Sequence, residues 1–210
     1  MTLGYAKILT CPHCGGKKEV LSLNSGNTFG QVVWSDSKSV APMMPRVSFI
    51  QECPHCGKFF LMSRQTNGVR GEYPSFEKGI LSYAKLKEAW KQLSTMPDLT
   101  EDEKIMALFM QVWTFNDEYT RETKKEIPAE EHDYIVSVVD QIVAIDSVDN
   151  LLKAELLREA GRFEKAIELL DAYEAANDYR ENLRKRYKKA TEARNTLPFV
   201  VYGVSAPTCS

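Results

Sequence analysis

The spacing of apolar residues changes once along the chain. Up to about residue 70, apolar residues come in short runs between polar turns, and after about residue 75 they recur every three or four positions. Short runs rich in β-branched and aromatic residues predict strands, whereas the longer period predicts helices. We therefore expect an α+β fold, with a small N-terminal β module followed by an all-α domain of five or six helices.

The first part of the chain contains several short strand candidates. Four segments fit strands: residues 20–23, 31–34, 47–51 and 58–62. Two stretches rich in Ser, Asn, Asp and Gly, residues 22–26 and 35–39, are expected to turn the chain. Residues 41–45 hold two methionines and two prolines, and they predict an irregular loop packed on the β module.

Signals for helix ends divide the second part. A helix over about 75–95 comes first, and Thr100 with Glu103 forms a capping box for the next helix. Pro128 suits the first turn of a third helix, because proline has no amide proton to lose there. The apolar tail at 197–204 is expected to dock as a strand or an extended arm.

Formal charge is distributed unevenly, although the whole chain carries only −2. Residues 1–70 carry +5, residues 71–150 carry −9 and residues 151–210 carry +2. The first change of sign coincides with the turn-rich sequence NGVRGEYP. We therefore predict a boundary near residue 70, with a β module over 1–70 and a helical domain over 71–210.

One pentapeptide occurs twice and carries the clearest chemistry of the sequence. Cys11-Pro12-His13-Cys14-Gly15 is repeated as Cys53-Pro54-His55-Cys56-Gly57. Two residues between cysteines let both sulfurs face one ion across a tight turn, which proline starts and a glycine with positive φ completes. The four thiolates of Cys11, Cys14, Cys53 and Cys56 are the ligand set that a structural zinc ion prefers.

This pair of turns resembles the zinc ribbon, a family of small β modules with one such turn, or knuckle, at each end of the ligand set. The likeness covers about residues 8–63, and the whole chain resembles bacterial-type proteins that join a paired CPxCG ribbon to helices. It departs from the ribbon in the 38 residues between Cys14 and Cys53, where about 12–20 are usual. The resemblance implies a closed structural zinc site, although iron uses the same spacing. His13 and His55 are expected to point to solvent.

The same motif allows a redox interpretation. CPHC also resembles the active-site motif of thiol oxidoreductases, in which the first cysteine lies at a helix N-terminus that lowers its pKa. Here each motif is followed by glycine and then by strand-like residues, and the motif occurs twice. We therefore rank a thiol oxidoreductase behind a metal site.

A second resemblance covers about 25 residues of the helical part. The segment Leu151–Tyr173 is similar to the tetratricopeptide repeat, a helix–turn–helix unit, with Gly161 at the turn and Ala154 and Ala166 at small packing positions. A shift of 34 residues finds no second copy, so we predict one tetratricopeptide-like hairpin near 148–176 rather than an array.

The last predicted helix, about 178–195, is strongly basic. Four of its residues form a candidate nucleic-acid-binding surface: Arg184, Lys185, Lys188 and Lys189. Basic residues interleaved with aromatic ones in the β module would fit the same function. The competing interpretation is a solvated face balanced by the acidic middle of the chain.

Motifs for catalysis are missing from the sequence. It has no nucleophile elbow, phosphate-binding loop, dinucleotide fingerprint or HExxH, and it contains no apolar run that would span a bilayer. We predict a cytoplasmic, non-enzymatic zinc protein that acts as a protein–protein interaction module, with nucleic-acid binding as the alternative. No small-molecule substrate and no membrane partner is indicated.

Overall fold

A computed structural model describes residues 2–44, 48–65, 81–121 and 125–203, together with the backbone of residues 69–70. These residues form short antiparallel strands, mostly in the N-terminal part, followed by six α-helices within the described ranges. The α+β prediction is therefore confirmed. None of the described helices is both long and apolar enough to cross a bilayer.

The chain divides into two compact units that take their residues alternately along the sequence. The first unit comprises the residues before Val32 together with Val40–Ala107, and the second comprises Val32–Ser39 and the residues from Leu108 onward. These limits differ from the predicted boundary near residue 70. Residues 66–68 and 71–80, which surround that boundary, lie outside the described residues.

The first unit is built from three small sheets. Strand β1 (Thr2–Leu3) pairs with β4 (Leu23–Ser25), while β2 (Lys7–Thr10) pairs with both β3 (Lys17–Val20) and β9 (Val69–Arg70). Strand β7 (Ile50–Glu52) pairs with β8 (Phe59–Leu61), and a 3₁₀ turn follows at Met62–Arg64. The prediction of a turn over 22–26 is wrong, because the N-terminal strand supplies β4 with a ladder partner that local sequence does not reveal.

Helix α1 (Tyr83–Leu93) also belongs to this unit, although the sequence analysis assigned it to the helical domain. Its start is capped by Ser82, whose hydroxyl accepts a hydrogen bond from the Lys85 amide. The Gln92 side chain then bridges to β8: it accepts from the Phe59 amide at 3.1 Å and donates to the Phe59 carbonyl at 2.8 Å. The part of the predicted helix before Leu81 lies outside the described residues.

Helix α2 (Glu101–Tyr119) begins with the predicted capping box. The Thr100 amide donates to the Glu103 carboxylate at 3.2 Å, and the Glu103 amide donates to the Thr100 hydroxyl at 3.3 Å. Glu103 also receives two hydrogen bonds from the Arg64 guanidinium, at 2.9 and 2.6 Å, and one from Ser63. Hydrogen bonding with Arg64 lowers the pKa of the Glu103 carboxyl to about 2.

The second unit contains most of the helical residues. After α2 come α3 (Ala129–Val143), α4 (Asn150–Glu159), α5 (Phe163–Ala172) and α6 (Asp178–Glu192). Pro128 is the N-cap of α3, just before the first turn in which the sequence analysis expected it. Gly161 has φ +74° between α4 and α5, and the side chains of Ala154 and Ala166 are fully buried, which fits the predicted helical hairpin.

A three-stranded sheet completes this unit with residues from two distant parts of the chain. Its order is β10–β5–β6, with β5 (Val32–Trp34) and β6 (Ser39–Val40) from the segment between the cysteine motifs and β10 (Val200–Tyr202) from the C-terminal tail. The tail therefore docks as a strand over its described residues. The predicted turn over 35–39 is also present, and it uses Ser37 at φ +66°.

We expect the Glu103 carboxylate to contribute measurably to the stability of the first unit. Glu103→Ala removes both the cap and the main partner of Arg64, so it should lower the free energy of unfolding by about 2 kcal/mol in urea at pH 7. Asp98→Ala is the control, because Asp98 also pairs with Arg64 but its side chain is 69% exposed. The control should cost less than about 1 kcal/mol. Equal losses in both variants would contradict the assignment.

Candidate metal centre

Each cysteine motif folds into the same tight turn. The amide of Gly15 donates to the carbonyl of Cys11 at 2.9 Å, and the amide of Gly57 donates to the carbonyl of Cys53 at the same distance. Both glycines have positive φ, +73° and +69°, a conformation that other residues adopt only with strain. The duplicated sequence has therefore produced two nearly identical knuckles.

Backbone amides point at three of the sulfur atoms. The amides of His13 and His55 each lie 3.4 Å from the sulfur of the first cysteine of their own knuckle, and the Gly16 amide lies 3.4 Å from Cys14 Sγ. Hydrogen bonds from amides stabilise negative charge on sulfur, so the knuckles favour thiolates. This backbone arrangement prepares the sulfurs for a cation.

The four sulfur atoms lie together, as the sequence predicts. Sγ of Cys11 is 3.8 Å from Sγ of Cys56, Sγ of Cys14 is 3.6 Å from Sγ of Cys53, and all four atoms lie within 4.8 Å of one another. In a tetrahedral site with zinc–sulfur bonds of about 2.3 Å, neighbouring sulfurs are about 3.8 Å apart. The donor set and its dimensions therefore fit one tetrahedral ion such as zinc.

Burial differs between the two cysteines of each knuckle. Cys11 and Cys53 are buried within the small core that also contains Leu9, Val20 and Phe60, while Cys14 and Cys56 are exposed. The cluster is thus anchored on its inner side by the packing of the first unit and faces solvent on its outer side.

The pKa values of two cysteines in the cluster are shifted in opposite directions. The Gly16 amide lowers the pKa of Cys14, but hydrogen bonding with Cys56 and the other thiols, together with desolvation, raises it to about 12 overall. Burial raises the pKa of Cys53, but the amides of Cys56 and His55 and the neighbouring thiols lower it to about 6. A divalent cation must displace the remaining protons, so its affinity should rise with pH.

The two histidines are exposed, as expected, and each one also contacts the other half of the site. The ring Nε2 of His13 lies 3.1 Å from the carbonyl oxygen of Phe59, and Nε2 of His55 lies 3.1 Å from that of Lys17. Each histidine therefore reaches the strand that follows the opposite knuckle. The expected exposure is confirmed, whereas these contacts were not predicted; the signal for them is the repetition of histidine at the same position of both motifs.

The glycine after the first knuckle makes room for one of these contacts. A Cβ atom added to Gly16 would lie 2.4 Å from Cδ2 of the His55 ring, which is closer than side chains approach. The side chain of Lys18 adds a further link between the halves by donating to the carbonyl of Glu52 at 3.1 Å. The site is therefore held by cross-connections as well as by its sulfur atoms.

The residues proposed for nucleic-acid binding lie on α6. Arg184 and Lys185 both pair with Glu181, Lys188 lies 2.5 Å from Asp171, and Lys189 is exposed in the last turn of the helix. Acidic side chains of the same unit thus accompany three of the four cations. Cys209, near the C-terminus, lies outside the described residues.

Comparison with known proteins adds no relative to this description. No protein-family model, no curated protein and no solved structure matches the chain. The zinc-ribbon and tetratricopeptide likenesses therefore rest on the motifs and on the geometry described above.

We expect the purified protein to contain about one zinc ion per chain by inductively coupled plasma mass spectrometry. Cys14→Ser should abolish this content and unfold mainly the first unit, because binding energy at a structural zinc site is also folding energy, of the order of 10 kcal/mol. Helical circular dichroism should largely remain. A metal-free protein with disulfides within the CPHC motifs would contradict the assignment.

The contacts of the histidines should tune the affinity of the site without changing its stoichiometry. His13→Ala and His55→Ala should each weaken zinc binding about tenfold in competition with a chromogenic chelator, because groups that orient ligands typically contribute that much. His132→Ala in α3 is the matched control and should have no effect. If all three variants bind zinc as the wild type does, the contacts between the knuckles do not support the site.

Proposed function

We propose that this protein is a non-enzymatic zinc protein whose metal centre maintains a surface that binds another protein. Four sulfurs at tetrahedral spacing satisfy the preferred coordination of zinc completely, and the metal analysis above distinguishes zinc from iron, which accepts the same donor set. A site with four protein ligands has no open position for substrate or water, so its role is structural. A reducing compartment such as the cytoplasm would keep these thiols available to the ion.

The environment of the cysteines argues against the redox alternative. A reactive thiol of that class lies at the start of a helix, whose dipole stabilises the thiolate. Here the first cysteine of each motif lies in a tight turn, and the chain continues into strands β3 and β8. The site therefore favours metal binding over thiol exchange.

The observation that carries the proposal is an exposed apolar surface in the first unit. Phe29, in the loop at residues 26–31, is 80% exposed, and Met43 and Met44, in the loop at residues 41–44, are 36% and 42% exposed. These two loops lie next to each other, since a Cβ atom on Gly26 would lie 2.4 Å from Sδ of Met44. Exposed aromatic and methionine side chains are typical of adaptable protein-binding surfaces.

The charges of α6 favour the same choice over nucleic acid. Hydrogen bonding with Arg184 lowers the pKa of Glu181 to about 2, so this ion pair is present throughout the physiological range. The guanidinium of Arg180 forms a second ion pair, with the carboxylate of Asp149 at 2.7 Å. Cations that are already neutralised by carboxylates release fewer counterions on binding phosphates, which weakens the case for a nucleic-acid footprint.

We expect substitution of this apolar surface to remove protein binding. The zinc-loaded chain is immobilised on a support and incubated with native lysate. The captured proteins are then quantified for the wild type, for Phe29→Ser/Met44→Ser and for Tyr179→Ser. The double variant should lose at least one partner by about tenfold or more, because exposed apolar anchors contribute roughly 1 kcal/mol or more each. Tyr179→Ser, a control on an aromatic residue that is 59% exposed in α6, should retain that partner.

Two results would contradict the proposal. One is that both variants capture the same proteins in the same amounts as the wild type. The other is that the captured material is nuclease-sensitive nucleic acid, and that Lys185→Ala/Lys189→Ala releases it while Phe29→Ser/Met44→Ser does not. The second result would establish the alternative function.

A further inference from the structure

The helical unit buries three carboxyl groups together with two guanidinium groups. Asp36, Glu155 and Arg158 have no exposed surface, and the side chains of Glu159 and Arg121 are 6% and 3% exposed. Buried charges are costly unless they are paired. Two cations for three carboxyl groups leave one carboxyl group without a counterion.

The geometry identifies which carboxyl group this is. Arg158 forms two hydrogen bonds with Glu155, at 2.8 and 2.5 Å, and Arg121 donates to Asp36. Glu159 lies 3.5 Å from a nitrogen of Arg158, a cation that is already engaged by Glu155. Lys38 and Asp117 pair with each other at the edge of this group, and Asp117 also pairs with Arg121, so counting both leaves the excess of one carboxyl group unchanged.

The contacts of Glu159 are mainly to neutral groups. Its Oε2 accepts a hydrogen bond from the side-chain amide of Asn116 at 2.9 Å, and its Oε1 lies 3.4 Å from the hydroxyl of Ser35. The same Asn116 nitrogen also donates to Oδ2 of Asp36 at 2.9 Å. One amide therefore bridges two carboxyl groups, and the two groups must be close neighbours.

This carboxyl pair lies where the hairpin at residues 32–39 docks in the helical unit. The hydroxyl of Tyr187 donates to the Ser35 carbonyl at 3.0 Å, and the Trp113 indole donates to the Asp36 carbonyl at 2.9 Å. On the other side, the Ser35 amide donates to the carbonyl of Phe199 at 2.8 Å. These contacts between neutral groups do not change with pH. Any pH dependence in the docking of the hairpin therefore comes from the carboxyl pair.

We infer that Glu159 holds a proton in the folded protein and that this proton locks the hairpin 32–39 into the helical unit. With Glu159 neutral, the buried group has two carboxylates for two guanidiniums and no uncompensated charge. When Glu159 ionises, its charge faces the carboxylate of Asp36 across Asn116, and the docking of the hairpin weakens. The device is independent of the cysteine site and of the proposed partner.

Burial raises the pKa of Asp36 as well, but Arg121, Asn116 and Lys38 lower it, so the charge balance favours Glu159 as the protonated member of the pair. The groups that face Glu159 come from three elements. Asp36 approaches it from the hairpin, Glu155 and Arg158 from α4, and Tyr187 from α6. Burial raises the pKa of Glu159 well above its usual value, and the charges of Asp36 and Glu155 raise it further, whereas Arg158 and Asn116 lower it. Tyr187 is neutral at physiological pH, since burial raises its pKa.

The direction of the pH effect follows from this raised pKa. Between the pKa of an unfolded glutamate, about 4.5, and the higher pKa of the folded state, the folded protein binds one more proton than the unfolded protein. The stabilisation is therefore complete below about pH 4.5 and is lost as pH rises through the folded pKa. Within that window, the unfolding equilibrium constant should rise about tenfold per pH unit from this group alone.

Glu159→Gln tests the inference, because glutamine resembles the protonated side chain at every pH. Urea unfolding of the zinc-saturated full chain, followed by helical circular dichroism, should be measured at pH 5, 6, 7 and 8. The ratio of the unfolding constants of wild type and variant cancels the proton-linked contributions that both proteins share. That ratio should rise about tenfold per unit of pH until Glu159 ionises, so the variant becomes relatively more stable at higher pH.

Two matched variants locate the proton. Glu155→Gln should destabilise the protein at all four pH values, because it leaves Arg158 without its main partner. Asp36→Asn should do the same by removing the buried partner of Arg121, which then keeps only the half-exposed Asp117. If instead Asp36→Asn shows the pH-dependent gain and Glu159→Gln does not, the proton is on Asp36 and the assignment is overturned.

A direct titration provides a readout that does not depend on unfolding. The carboxyl ¹³C resonance of Glu159, assigned by its loss in Glu159→Gln, should keep the shift of a neutral acid well above pH 4.5. The amides of residues 34 and 35 should lose protection from hydrogen exchange over the same pH range in which this resonance titrates. A resonance that titrates near the normal value, or a ratio that is flat across pH, would overturn the proposal.

Discussion

The first unit depends on two five-residue turns that direct four sulfur atoms to one place. Its strands are short, between two and four residues, and its small core cluster includes two of the cysteines themselves. Strands of this length do not form a stable sheet without further support. Binding energy of about 10–16 kcal/mol for a structural zinc ion is large compared with the net stability of a small domain. The amides, histidines and glycines around the sulfurs all help to hold the four sulfur atoms close together.

The second unit depends on a network of charged side chains that lie together in its interior. The hairpin that it takes from between the cysteine motifs is held by Asp36 against Asn116 and Arg121 and by neutral hydrogen bonds to Tyr187 and Phe199. Buried ion pairs add little net stability compared with apolar packing, but removing one partner is costly. Such a network favours the segment that carries the matching acid, because any other segment would leave Arg121 with only the half-exposed Asp117 as its partner.

The local features of this chain could be predicted from sequence, whereas its long-range connections could not. The knuckles, the capping box of Thr100 and Glu103 and the turn at Gly161 each depend on residues within five positions of one another, so their chemistry is visible in a short window. The partners of Ser35 and Asp36 lie 80, 124, 152 and 164 residues away. A hairpin at 32–39 is apparent from its turn residues, but nothing in its own sequence assigns it to the helical unit. The same reason explains why the grouping of α1 with the first unit is not visible in the sequence.

X-ray absorption at the zinc edge of the purified protein distinguishes a four-sulfur site from the alternatives. We expect a first coordination shell of four sulfur atoms at about 2.3 Å, with no nitrogen or oxygen ligand. A shell in which imidazole nitrogen replaces sulfur would show that His13 or His55 is a ligand. A protein that binds no zinc when its thiols are kept reduced would show that the four cysteines do not form a zinc site.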